Sequence, residues 1–174
     1  MDLVETVIED ARWETFGLAA LAERAGRAAL AGLGLSGTGF AISVLGCDDA
    51  RIAALNADFR DKPVPTNVLS WPSEDRAAAQ IGAAPDLPEP GDAEDPVELG
   101  DIAIAWETCT REAEAQGKPM ADHVTHLLVH GILHLLGYDH VEDVDAALME
   151  ALEVRILASL GVSDPYWESH PLDG

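Results

Sequence analysis

Hydrophobic positions along the chain recur with two periods, and the alternation between them predicts the elements. Residues 3–8, LVETVI, alternate weakly as a strand does, and the Ala- and Leu-rich run from Thr15 to Ala31 keeps its charges to one side as an amphipathic helix does. Gly32 and Gly34 stop that helix. The segment GFAISVL at 39–45 predicts a second strand, and Asp48 or Asp49 can cap a helix through IAALNADF that ends near Arg60. A Pro-bearing loop, RDKPVPT at 60–66, leads into a short strand, NVLSW at 67–71, which Pro72 bars from the middle of a sheet.

Residues 73–97 are rich in Ala, Pro, Gly and acids and show no period, so they read as an insertion or long surface loop. LGDIAIAW at 99–106 is strand-like. A helix from Glu107 to Gln116 is broken by Gly117 and Pro119, and a strongly apolar helix follows from about 120 to 136, ended by Gly137. A last helix covers about Glu142 to Leu160, and the tail from Asp164 is expected to be poorly ordered. Such an order predicts an α+β fold, with a small mixed sheet of about four strands packed with about five helices.

Composition narrows the picture. At 174 residues, 48% hydrophobic and 24% charged, the chain suits one globular domain over 1–174, with 73–97 as an acidic insertion. The N-terminus lacks the basic start and apolar run of a secretory signal, and no apolar stretch is long enough for a bilayer, so a cytoplasmic location without membrane contact is expected. Cys47 and Cys109 follow no metal-ligand spacing and read as small buried residues. Thirty-two acidic residues against ten Lys and Arg give a formal charge of −22, which disfavours loose binding to polyanions and confines any RNA contact to a local site.

The chemistry concentrates in HVTHLLVHGILHLLGYDH at 123–140, which holds five of the six histidines. His130 and His134 are four apart, hence on one helical face, and Gly137 allows a left-handed exit that swings His140 back toward them. Three imidazole nitrogens leave a fourth tetrahedral position open, the pattern of a catalytic zinc, whereas any one of these histidines alone would read as a core residue. His126 extends the same stripe and reads as a residue behind the ligands or on the helix surface; His123 and His170 receive no role. The spacing H-x3-H-x5-H is also that of metzincin peptidases, but these need a glutamate after the first histidine as general base, and here that residue is Gly131.

The stretch HGILHLLGYDH resembles the H-G-x-L-H-L-x-G-Y-D-H motif of the YbeY family of bacterial endoribonucleases. NADFRDKPVPTNVLSWP and LGDIAIA resemble two further segments of that family, so the likeness runs from about Asn56 to His140. Two positions depart from the pattern: Asn67 stands where the family usually has Asp, and Trp71 where it usually has Phe.

The resemblance implies a single-strand-specific, metal-dependent endoribonuclease in 16S rRNA 3′-end maturation and ribosome quality control. One Zn2+ per chain would sit on His130, His134 and His140. Arg60 falls at the family's cleft arginine, where its planar fork suits a phosphate; otherwise it reads as a surface residue capping a helix. Lys62 offers a weaker backbone contact, Asp139 either supports a ligand or closes the turn, Tyr138 reads as packing, and Asp101 either orients a ligand or caps a strand. The implied partners are single-stranded rRNA and the small ribosomal subunit, with a small-subunit ribosomal protein and the GTPase Era. A different class stays open: a ribosome-assembly binding protein in which zinc only staples the fold, favoured by the acidic surface.

Overall fold

The computed structural model describes residues 3–78, 80–139 and 142–166, and of Phe59 and Arg60 only the backbone. In chain order the elements are β1 (Val4–Ile8), α1 (Ala11–Phe16), α2 (Leu18–Gly32), β2 (Phe40–Cys47), α3 (Asp49–Arg60), β3 (Val68–Pro72), β4 (Val97–Ala105), α4 (Trp106–Gln116), α5 (Met120–Leu135) and α6 (Asp143–Ser159). The strands make one mixed sheet in the order β1-β2-β4-β3, with β3 antiparallel to β4 and the other neighbours parallel. The expected α+β class and four-stranded mixed sheet are therefore present.

Among the described residues there are six helices where about five were expected. Residues 11–16 form a short helix of their own, separated from α2 by Gly17 at φ 90°. Its main anchor is Trp13, which is buried, donates from Nε1 to the Cys47 carbonyl at 2.9 Å and meets Trp106 edge-on with ring centroids 4.9 Å apart, while Phe16 packs edge-on against both tryptophans. A six-residue helix held by Trp13 and Phe16 is too short to show an apolar period, so periodicity does not reveal it.

Both faces of the sheet are covered. Ile42, Val44, Ile102 and Ile104 join the main core beneath α2 and α5, while Cys47, Ile52, Leu69, Ala103 and Ala105 form a smaller cluster toward α3. Helix α5 is buried on almost every side, by Val124, Leu128, Ile132, Leu133 and Leu135 among others, because it lies between β3, β4, α2, α4 and α6. Polar residues on such a helix have few places to face. His126, His130 and His134 take a side that stays partly open.

Segment 73–97 is more firmly fixed than a surface loop. Its described residues up to Pro96 carry no helix or strand, yet they are tied down at three points. The Arg76 guanidinium donates to the carbonyls of Leu99 and Leu135, each at 3.1 Å, satisfying an orphan acceptor at the end of α5. Gly82 N donates to Asp145 on α6 at 2.7 Å, and Gly91 N donates to Gly39 O at 2.9 Å. Gly137, at φ 102°, is where α5 ends and where Arg76 crosses; a Cβ there would stand 2.2 Å from the Arg76 carbonyl oxygen.

Candidate active site

His130 and His134 leave α5 on one face, as their spacing predicts, and their Nε2 atoms stand 3.1 Å apart. Two nitrogens each 2.0–2.1 Å from one tetrahedral ion stand roughly 3.3–3.4 Å apart, so the pair is already close to the spacing of joint ligands. His140 lies outside the described residues. Among the described residues no group of three His, Cys, Asp or Glu side chains is placed to hold one metal ion.

Behind His130 stands Glu153 of α6, fully buried. Its Oε1 accepts from His130 Nδ1 and its Oε2 accepts from the Tyr166 hydroxyl, while His126 Nε2 lies 3.8 Å from Oε2. Burial alone pushes this carboxyl up, but the donors on His126, His130 and Tyr166 outweigh it and hold the group at about 2. The Tyr166 phenol is driven well above its usual range, first by burial and then by the Glu153 carboxylate. With Nδ1 donating to a carboxylate, the neutral His130 ring carries its lone pair on Nε2, the nitrogen that meets His134 Nε2. A buried carboxylate that accepts from an imidazole N–H fixes the ring's tautomer and orientation, an arrangement that also suits histidines bound to transition metals.

The groove has a volume of about 490 Å³ and runs between α5 and the edge strand β3, past Asn67, Ser70, His130, His134, Asp139 and Tyr166. A larger cavity of about 760 Å³ adjoins it and shares Asn67, His126, Leu127 and Tyr166. In its wall His123 Nε2 donates to Glu112 Oε1, and Asn67 Nδ2 donates to the same oxygen, both at 2.9 Å. Burial holds the His123 pKa below the ordinary value, with Glu112 acting in the opposite sense.

Asn67 thus has a local reason. Its amide supplies a donor to Glu112 and its Oδ1 accepts from Val68 N at 2.6 Å; an aspartate would set a second carboxylate against Glu112. Gly131 also has one: a Cβ there would lie 3.2 Å from Ile102 Cδ1, so a glutamate would be driven toward the sheet. Trp71 is half-buried on β3 and packs against the smaller cluster.

The other sequence candidates separate. Asp139 lines the groove and is exposed, whereas Tyr138 is buried and packs in the main core. Asp101 is exposed on β4 opposite Trp71, away from the histidines, and Lys62 is exposed beyond the end of α3. The side chain of Arg60 lies outside the described residues. His126 turns toward Tyr166 and Glu153, 3.3 Å from the tyrosine hydroxyl. Cys47 and Cys109 are buried free thiols as expected. The tail expectation needs correcting for its first residues, since Tyr166 and Asp164 are packed and hydrogen-bonded; from Trp167 the chain lies outside the described residues.

Glu153, Tyr166 and Glu112 were not found from sequence. Glu153 left a signal: with Met149, Leu152 and Ile156 it occupies the inward stripe of α6, where a carboxylate needs a partner.

Fold and site together make a small α+β protein whose histidine-lined groove follows the edge of its sheet. The sequence profile of the family described as "Endoribonuclease YbeY" matches residues 5–161, and the chain belongs to that family. It is 68% identical to the endoribonuclease YbeY of Cereibacter sphaeroides over 94% of this chain and 98% of that protein. Identity to its counterpart in Ruegeria pomeroyi is 62%, over 94% and 97%. The fold is also similar to the solution structure of TM1509 from Thermotoga maritima, with a TM-score of 0.59, 19% identity and coverage of 98% of this chain and 95% of that one.

Proposed function

We propose that the protein is a zinc-dependent endoribonuclease that cuts single-stranded rRNA in 16S 3′-end maturation and ribosome quality control. The observation that carries this is the convergence of His130 and His134, 3.1 Å apart at Nε2, with His130 backed by a buried carboxylate. Membership in an endoribonuclease family supports the reaction class. His130, His134 and His140 would hold one zinc ion. Such an ion supplies Lewis acidity toward water and phosphoryl oxygen at neutral pH, which suits phosphodiester hydrolysis without a glutamate base.

The chain's own residues carry the rest. Glu153 keeps the His130 proton on Nδ1 and the ring in place. Arg60, at the C-terminal end of α3, is assigned to the scissile phosphate, whose charge grows in the transition state. Unstacked RNA would lie along β3 and α5, and the working place is the cytoplasm, on the small ribosomal subunit, with a small-subunit ribosomal protein and Era as partners. Among the described residues no helix is long and apolar enough to cross a membrane.

The test is cleavage of a labelled single-stranded RNA and of its duplex by the purified protein. Single strands are cut, a chelator stops the reaction, and Arg60→Glu lowers the rate by about 10²–10³. Undiminished cleavage by His130→Ala would falsify the assignment. A charge of −22 favours one second reading, a ribosome-assembly binder that uses zinc as a staple. It predicts a large fall in melting temperature on chelation together with no cleavage by the metal-loaded protein.

A further inference from the structure

We infer that Glu153, steadied by Tyr166, is the positioning residue that makes His130 a metal ligand, an inference that rests on the zinc assignment above. Glu153 belongs to the apolar face of α6 among Met149, Leu152 and Ile156, where an unpaired carboxylate is strongly disfavoured. Both of its oxygens are used, and each use has a direction. Oε1 takes the proton on His130 Nδ1, and Oε2 takes the proton of the Tyr166 hydroxyl, so the carboxylate cannot rotate without losing one donor.

The consequence falls on the far side of the imidazole. A neutral histidine that donates from Nδ1 has its lone pair on Nε2, and His130 Nε2 points at His134 Nε2 across 3.1 Å. A proton from either ring, or a cation between them, must relieve that approach. Glu153 biases His130 toward the cation, because its carboxylate holds the only proton of the neutral ring on the other nitrogen. Tyr166 extends the chain of contacts to the segment after α6, and its ring meets His126 edge-on with centroids 5.5 Å apart.

A purely structural Glu153 would fill the same space without setting the His130 tautomer, and glutamine separates the two roles. Glu153→Gln keeps the shape and one acceptor oxygen but removes the charge and turns an amide donor toward one of the two present donors. Zinc is titrated into metal-free full-length protein against a chromophoric chelator, and 15N spectra of the histidine side chains are recorded on the same metal-free samples. The expected result is a 10–100-fold loss of zinc affinity in E153Q, a smaller loss in Y166F, and a His130 signal that moves from the Nδ1–H form to a mixture of tautomers. An unchanged affinity, or an unchanged His130 tautomer, in folded E153Q overturns the positioning role. H130A and H134A distinguish the two levels: if they lose zinc while E153Q does not, only the positioning role fails, and if they bind zinc as the wild type does, the zinc assignment fails with it. If E153Q does not fold, judged by circular dichroism, the same two readouts on Y166F decide.

Discussion

Single residues show how far local chemistry is set by what a side chain faces. Asn67 donates to Glu112 in a wall that also holds buried His123, so Asn67→Asp replaces a hydrogen bond by two facing carboxylates. The variant is expected to be about 1–2 kcal/mol less stable at neutral pH. The deficit should shrink as the pH falls far enough to protonate one of the pair, because repulsion acts only between the ionised forms. Urea unfolding of both proteins at a series of pH values checks the size and the sign. The two thiols give a second expectation. Burial pushes Cys47 up to about 12 and Cys109 further still, so neither should react with Ellman's reagent in the native protein, while both should do so in guanidinium chloride. Rapid modification of the native protein would show that one of them is reached by solvent.

At the scale of elements, the structure depends on contacts that tie segment ends to distant helices. The Glu23 carboxylate of α2 accepts from Leu3 N at 3.1 Å and Val4 N at 2.8 Å, which holds the start of the edge strand β1. Burial raises its pKa, but the two backbone donors and Arg27 lower it more, and the net shift is downward. A depressed carboxylate stabilises the fold above its unfolded pKa, and that stability is lost as the pH falls through the acid range to the folded value. Glu23→Gln should therefore cost about 1–2 kcal/mol at neutral pH and lose less on acidification than the wild type, as read from melting curves. Gly137→Ala meets the Arg76 carbonyl and a positive φ together. It should cost about 2 kcal/mol or more and release segment 73–97 to limited proteolysis.

Why some of these elements were legible and others were not follows from the same contacts. The strands, α2, α4 and α5 announce themselves because their apolar pattern is written in consecutive residues, and α3 announces itself by its Asp48 cap. The His130 and His134 pair is legible because both side chains lie on one helix, four residues apart. The stitching of 73–97 and the Glu153 carboxylate are not local, since Arg76 meets Leu135 and Glu153 meets His130 only after α5 and α6 have packed. Helix α1 escaped because its six residues, packed through Trp13 and Phe16, are too few to show a period.

For the molecule as a whole, charge is the dominant long-range quantity. A net charge of −22 on a chain of this size makes the folded state repel itself, and added salt screens that repulsion. The melting temperature is expected to rise between about 10 and 150 mM NaCl, where the Debye length falls from about 30 to 8 Å. A fall over that range would show that local ion pairs such as Arg27 with Glu23 outweigh the global repulsion.

The sheet carries one more consequence, in the order in which the chain can assemble. Val4 pairs with Ile42, Ala41 with Glu98 and Val68 with Ile104, so every ladder joins segments dozens of residues apart and no tight hairpin seeds the sheet. Loop closure must precede each pairing, which makes folding slower than helix formation alone would allow. During synthesis, β2 holds β1 on one side and waits on the other until β4 has left the ribosome. Over that interval its open edge can accept a strand from a neighbouring chain. A protein of this fold thus passes through its most aggregation-prone stage just before residues 97–105 are made, and completing β4 closes that edge.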